Sequence, residues 1–134
     1  MALPNGAGGY QIGDGNLNEV QIDVQSAPAT ATDTATLTVA QITNGIILAT
    51  PTAAAAYTLP TVALLEATVS SAKVNSSFDF VVVNLASSNY DITMTTATGW
   101  TLTGGGVMVV QEASSATFRA RKTGDGTWSL YRIA

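Results

Sequence analysis

The sequence FDFVVVN, residues 78–84, decides the fold class of this chain. Apolar residues occupy both of its alternating faces, which is typical of a strand in the middle of a sheet. Shorter apolar stretches flank it along the chain at intervals of roughly 8 to 12 residues, with turn residues between them. This spacing predicts an all-β domain, either a β-sandwich or a barrel.

The other secondary-structure elements are predicted from apolar spacing. Further strands are expected around residues 37–39, 46–48, 57–59, 90–94, 100–102 and 107–110. The clearest feature is the last hairpin, in which strands 117–122 and 127–133 flank Gly124-Asp125-Gly126, a turn that tolerates positive φ. Residues 61–73 are predicted as the one short helix, because Val62, Leu65 and Val69 follow helical steps.

The N-terminal part of the chain differs from the rest in composition. Residues 1–30 are predicted to form an extended arm and linker, and residues 31–134 the β-sandwich domain. The arm is rich in glycine, but over residues 18–25 its apolar residues alternate with polar ones at the period of a strand. That strand needs a surface to cover its apolar face, and another subunit is the hypothesis. The arm residues expected at such an interface are Tyr10, Ile12, Leu17, Val20, Ile22 and Val24.

Composition excludes several classes of function. The chain is 46% apolar and only 10% charged, against about 25% charged in ordinary soluble domains. Low charge favours association, since interface centres are depleted of charged residues. The net charge of −4 argues against a nucleic-acid partner. With no cysteine and no histidine, the chain has no disulfides, Cys/His zinc sites or imidazole catalysis, and no cofactor is expected.

Targeting signals are also missing from the sequence. The first residues have neither the basic nor the apolar region of a secretory signal peptide. No apolar run reaches the roughly 18 residues that would span a bilayer. A soluble protein without a membrane partner is therefore expected.

Candidate catalytic and metal-binding residues are few, and no enzyme is predicted. Asp79 and Asp91 fall on predicted strands and, facing each other, would raise one pKa. Each alternates with large apolar residues, however, as solvated outward-facing positions do. Residues 14–18, DGNLN, resemble the start of a calcium loop, but Glu19 and Gln25 stand where that loop needs glycine and glutamate. A turn is the favoured interpretation.

Basic residues cluster near the C-terminus. Arg119 and Arg121 lie on one face of a predicted strand, and Arg132 lies on its hairpin partner. The three are predicted to form one patch. Such a patch either binds the carboxylates of a partner or simply covers the sheet as surface arginines, and the sequence leaves both open.

Several stretches between about residues 35 and 134 are similar to those of a known family. They are AYTLP (56–60), NSSFDF (75–80), ITM (92–94) and GWTLTG (99–104), together with Asn84, Phe118-Arg119 and Leu130-Tyr131. On these residues the chain resembles the head decoration (cement) proteins of tailed bacteriophages. The resemblance implies a jelly-roll β-sandwich that sits as trimers on the outer capsid and clamps neighbouring capsid subunits.

Two functions follow from these observations. The first is a capsid decoration protein that stabilises the shell, with the major capsid protein and other copies of itself, in a homotrimer, as partners. It would be assembled in the host bacterial cytoplasm and located on the outer surface of the virion. The alternative is a carbohydrate- or receptor-binding β module of a phage fibre or baseplate, in which exposed Trp100, Trp128 or Tyr131 stacks on sugars.

Overall fold

The computed structural model describes residues 22–104 and 108–134, which form two facing β-sheets and two short helices. The strands are β1 (Ala29–Ala31), β2 (Ala35–Thr36), β3 (Ile46–Ala49), β4 (Ala55–Thr58), β5 (Ser77–Asn84), β6 (Ile92–Thr95), β7 (Trp100–Thr103), β8 (Val109–Val110), β9 (Ser115–Gly124) and β10 (Thr127–Arg132). The helices are α1 (Val39–Asn44) and α2 (Val62–Thr68). The prediction of a mainly β, sandwich-like domain is confirmed at this level.

The chain alternates between the two sheets from β1 to β9. The larger sheet has the order β1-β3-β5-β9-β10-β7 and the smaller one β2-β4-β6-β8. From β1 to β6 the chain keeps one direction each time it returns to a sheet, so β1-β3-β5 and β2-β4-β6 are parallel. The direction then reverses, because β8 returns to the smaller sheet antiparallel to β6. Of the eight pairings among the described residues, five are parallel. Jelly rolls are antiparallel, so this topology does not confirm that part of the expectation.

The strand that decided the fold class is central, as predicted. β5 is the third of six strands and pairs with β9 over residues 77–83 and with β3 over residues 81–84. Phe80 and Val82 are fully buried and pack with residues from both sheets in one core. The last hairpin also forms as predicted, with β9 and β10 antiparallel.

The core of the sandwich contains a chain of aromatic rings. The ring centroid of Phe80 lies 5.6 Å from that of Phe118 and 6.4 Å from that of Phe78. The centroids of Phe78 and Trp128 are 5.9 Å apart. Trp128 in turn lies 6.1 Å from Trp100. Tilted pairs at these distances add specific attraction to the burial of large apolar areas. The rings join β5, β7, β9 and β10 into one packed unit.

The prediction of a single helix was wrong, because residues 39–44 form α1 and not a strand. Thr38 caps α1 by accepting a hydrogen bond from the Gln41 amide, and Gln41 accepts one from the Thr38 amide. Gly45 ends it with a left-handed φ of 104°. Local capping satisfies the free amides of the first turn, and Ile42 anchors the helix in the core. The Thr-x-x-Gln pattern followed by glycine was the sequence signal for this helix.

Other boundaries also differ from those predicted. α2 ends at Thr68, five residues before the predicted 73, and begins after its cap at Thr61. β1 crosses the predicted boundary at residue 30, because it runs from Ala29 to Ala31 and pairs with β3. In the predicted arm strand, Val20 lies outside the described residues, while residues 22–25 are not in a strand. With no neighbouring strand to pair with, an apolar alternation alone does not form a sheet.

Candidate interaction surface

The outer face of the six-stranded sheet, which points away from the core, carries a charged region. Arg119 in β9 lies between Asp79 in β5 and Tyr131 in β10. Its guanidinium donates two hydrogen bonds to the Asp79 carboxylate, at 2.7 and 2.9 Å. These bonds lower the pKa of Asp79. Both side chains are nearly half exposed, so solvent screens the pair and it contributes little to stability.

Arg121 is engaged two residues further along the same face. It donates to the Tyr131 hydroxyl at 2.9 and 3.1 Å and to the Asn75 side-chain oxygen at 2.8 Å. Its guanidinium carbon also lies 5.8 Å from the centroid of the Tyr131 ring. The hydrogen bonds from Arg121 lower the pKa of Tyr131. Two of the predicted interface residues therefore share a surface on which the chain already supplies partners.

Arg132 does not belong to this patch, so that part of the prediction was wrong. Arg132 pairs with Phe118 across the hairpin, and directly opposite residues share a face of the sheet. Because Phe118 faces the core, Arg132 points toward the other sheet and donates to the Val109 carbonyl at 2.7 Å. Arg119 and Arg121 occupy the opposite face. Strand register, which the sequence does not reveal, separates them.

The arm joins the sandwich beside the end of α1. The Gln25 side chain donates to the Asn44 carbonyl at 2.9 Å, and the Asn44 side chain donates to the Ala27 carbonyl at 3.0 Å. Just before this attachment, Ile22 is 86% and Val24 98% exposed. These are apolar side chains that the described fold leaves uncovered. The remaining predicted arm residues, Tyr10, Ile12, Leu17 and Val20, lie outside the described residues, as does the candidate calcium loop.

An apolar region that the sequence analysis did not single out lies beside the charged one. Alternation places the side chains of Ile46 and Leu48 opposite the core-facing Ile47 and Ala49, and those of Val81 and Val83 opposite Phe80 and Val82. With Ile133, which hydrogen-bonds through its backbone to Thr117, they form what we call the apolar outer patch: Ile46, Leu48, Val81, Val83 and Ile133. None of these five described residues belongs to the core or packs against it. The signal was present in the two-sided apolar pattern of FDFVVVN.

The two strand carboxylates do not form a catalytic pair. Asp79 is in the six-stranded sheet and bound by Arg119, whereas Asp91 immediately precedes β6 in the other sheet. Asp91 accepts a hydrogen bond from the Glu112 amide at 3.2 Å. Within residues 22–104 and 108–134, no three acidic side chains lie close enough to hold a metal ion.

The tryptophans proposed to stack on sugars are in the core. Trp128 is 1% and Trp100 8% exposed, and the Trp100 indole donates to the Pro60 carbonyl at 2.7 Å. Tyr131 alone of the three aromatic candidates lies on the outer face, under Arg121.

A groove of about 640 Å³ lies between α2, the end of β4 and the start of α1. Its walls are threonine, leucine and other uncharged residues, including Leu64, which is 60% exposed. The groove has no ionisable side chain in its lining. It therefore offers shape and apolar contact, but its lining holds no ionisable side chain that could act as a general acid or base or activate a threonine hydroxyl.

Glu66 on α2 ties the helix to the last hairpin. Its carboxylate lies 3.1 Å from the Lys122 ammonium, and it accepts hydrogen bonds from the Trp128 indole at 3.2 Å and from the Gly126 amide. The Lys122 side chain is only 10% exposed and donates also to the Ala72 carbonyl. The hydrogen bond from Lys122, then those from Trp128 and Gly126, lower the pKa of Glu66. Removal of the carboxylate leaves a nearly buried ammonium with one partner fewer.

Stability should therefore fall in acid, in part through Glu66. Its folded-state pKa lies below the ordinary value of 4.5, so the ionised group stabilises the fold at neutral pH. That contribution is lost as the pH falls from 4.5 through the folded pKa. Glu66→Gln should lower the melting temperature at pH 7, and its difference from the unmodified chain should shrink below pH 4.5. Thermal unfolding followed by circular dichroism between pH 7 and 3 measures both.

Asp125→Asn is the matched control for this experiment. Its carboxylate is 3.8 Å from the same ammonium but fully exposed, so loss of the charge should change stability little. If the two variants gave the same pH profile, Glu66 would not have the structural role assigned to it.

Neither helix in the described part of the chain is long and apolar enough to cross a lipid bilayer. Comparison of the chain with family models, with curated proteins and with solved structures finds no match.

Proposed function

We propose that this chain is a structural protein of a virus particle, which binds the outer capsid surface and stabilises the shell by bridging major capsid subunits. In this proposal the chain acts as a homotrimer on the virion, is assembled in the host bacterial cytoplasm, and has no catalytic role. The observation that carries the proposal is the exposure of Ile22 and Val24, at 86% and 98%, where the arm leaves the sandwich. Apolar side chains in such positions gain free energy only when another surface covers them.

Three further features support binding through surfaces. Among the described carboxylates, those with lowered pKa values are Asp33, Glu66 and Asp79. Hydrogen bonds within the fold cause each lowered pKa, so these pKa shifts have a structural origin. The groove beside α2 has no ionisable lining. The chain as a whole is 10% charged, which lowers the desolvation cost of broad contacts. The resemblance to decoration proteins points to a capsid as the partner. The jelly-roll topology that it also implies is not needed for this proposal, and the parallel pairings do not support it.

Removing the arm should abolish capsid binding while the sandwich stays folded. A deletion of residues 1–24 keeps Gln25, whose side chain holds the start of the fold to Asn44. Burial of two aliphatic side chains is worth about 1.5–3 kcal/mol each. The deletion should therefore weaken binding by at least about 100-fold. The measurement is co-sedimentation of the chain with purified shells that lack it, over a range of chain concentrations, with circular dichroism to confirm folding.

Two variants of the full chain sharpen this test. The double variant Ile22→Ser/Val24→Ser keeps the charge and length of the arm. It should reproduce most of the loss of shell binding that the arm deletion causes. Leu64→Ser removes a comparably exposed leucine from α2 and should bind as the unmodified chain does. Undiminished binding of the arm deletion would contradict the proposal.

A further inference from the structure

The apolar outer patch is built from cross-strand rows. Ile46 in β3 is directly opposite Val81 in β5, which is opposite Thr117 in β9, and the backbone hydrogen bond between Ile133 and Thr117 extends this row. Leu48 and Val83 form a second row, one two-residue step further along the strands. Ile133 is 51% exposed at the end of the first row. The patch is thus a strip of aliphatic side chains on a sheet face, with Thr117 between Val81 and Ile133.

The arm has a matching pattern. Val20, Ile22 and Val24 alternate with polar residues, and in an extended chain alternate side chains repeat about every 6.6 Å on one face. The two rows of the patch are separated by the same two-residue repeat, because each row is one step along β3 and β5. An extended arm laid along these strands would place its apolar face on the patch. Successive apolar residues of the arm would then face successive rows of the patch.

The arm does not lie on the patch of its own chain. The hydrogen bonds between Gln25 and Asn44 fix the arm just after Val24, beside the start of β3. Ile46 begins that strand, so the patch of the same chain is close by. Yet Ile22 and Val24 remain almost fully exposed, and neither packs on it. Every other copy of the chain carries the same apolar outer patch. The exposed apolar side chains of the arm can therefore be covered by the patch of another copy.

Charge favours the same contact. Residues 1–25 contain Asp14, Glu19 and Asp23 and no lysine or arginine. On the outer face of the six-stranded sheet, the strands carry Arg119 and Arg121 against the single carboxylate of Asp79. An acidic arm therefore approaches a face of net positive charge, adjacent to the apolar rows.

We propose that the apolar outer patch binds residues 17–24 of the arm of a second copy of this chain. The two surfaces are different, so the contact is heterologous and closes into a ring when the rotation between copies allows it, as in a trimer. The inference deepens the proposed function by naming the surface through which copies associate. It rests on the proposed function only for self-association. Ile22 and Val24 then hold the copies together, so removal of the arm weakens shell binding because the trimer comes apart.

Cross-linking tests the contact directly, because the chain has no cysteine of its own. One batch carries Val24→Cys, and the other carries Leu48→Cys with a tag that changes its mass. After mixing and mild oxidation, we expect a disulfide-linked heterodimer as the main product. The matched control replaces Leu48→Cys by Leu64→Cys, an exposed leucine on α2, and should give at most a tenth as much heterodimer. Equal yields from Leu48→Cys and Leu64→Cys would overturn the proposal.

The double variant Val24→Cys/Leu48→Cys distinguishes copies from a single chain. Cross-linked dimers and larger species that increase with protein concentration support exchange between copies. A disulfide that forms within one chain, at a yield independent of concentration, overturns it.

Light scattering of the purified full chain provides the equilibrium test. Ile133→Glu should shift the chain to monomers at concentrations where the unmodified chain and Leu64→Glu stay associated, with unchanged circular dichroism. A chain that is monomeric at all concentrations and forms no heterodimer overturns the inference. Capsid co-sedimentation of that same chain would still decide the proposed function separately.

Discussion

Replacement of Trp128 by alanine should lower the free energy of unfolding by about 3–5 kcal/mol. Trp128 is 1% exposed, and its ring packs against Phe78 and Trp100 at centroid distances of 5.9 and 6.1 Å. Alanine would leave a cavity at the junction of β5, β7 and β10, and Glu66 would lose a hydrogen-bond donor. Such a loss is a large fraction of the about 5–15 kcal/mol by which folded domains are stable.

Urea unfolding followed by tryptophan fluorescence and circular dichroism measures this effect. Trp128→Phe is the control, because it keeps most of the ring volume and loses mainly the indole hydrogen bond, a net cost of about 1–3 kcal/mol. If Trp128→Ala unfolded at the same urea concentration as the unmodified chain, the aromatic core described above would be wrong.

This burial changes how a sugar-binding role must be tested. Loss of glycan binding in Trp128→Ala would report unfolding and not a lost stacking surface. Tyr131 lies on the outer face, where its hydroxyl accepts hydrogen bonds from Arg121, so Tyr131→Ala is the informative variant. Because both tryptophans are in the core, no observation among the described residues favours the carbohydrate-binding alternative over association through surfaces.

Replacement of Gly99 by alanine should cost about 2–5 kcal/mol of stability. Gly99 has φ +96°, and a β-carbon there would lie 2.6 Å from the Val62 β-carbon and 2.8 Å from the Gly126 carbonyl oxygen. The backbone conformation costs an alanine about 1–2 kcal/mol. Overpacking adds about 1–3 kcal/mol, because α2 and the last turn must move apart.

Gly126→Ala separates the two contributions. Gly126 has φ +71°, but a β-carbon there meets no atom within 4 Å. Its cost should be the conformational part alone, about 1–2 kcal/mol. The difference between the two variants in thermal unfolding therefore measures how tightly β7 packs against α2. Equal losses would mean that the close approach at Gly99 is absent in solution.

Local sequence patterns determined which segments became strands and which side chains became core. The turn at residues 124–126 produced the β9–β10 hairpin, and the two-sided apolar run at 78–84 produced a central strand. The large rings of Trp100 and Trp128, at strand positions, became part of the core. These features depend on period and turn chemistry, which act over a few residues and can be read directly. The capping pattern of α1 was equally local and was missed because two alternating positions suggested a strand.

Tertiary structure alone decided how the strands combine. The path of the chain between the two sheets leaves β1-β3-β5 parallel but β6 and β8 antiparallel, and no local pattern specifies that path. Register placed Arg119 against Asp79 and turned Arg132 toward the core side, because a shift of one residue exchanges the two faces of a strand. The same register gathered residues from β3, β5 and the C-terminal end of the chain into the apolar outer patch. These contacts join residues far apart in sequence, so their formation depends on the packing of the whole sandwich.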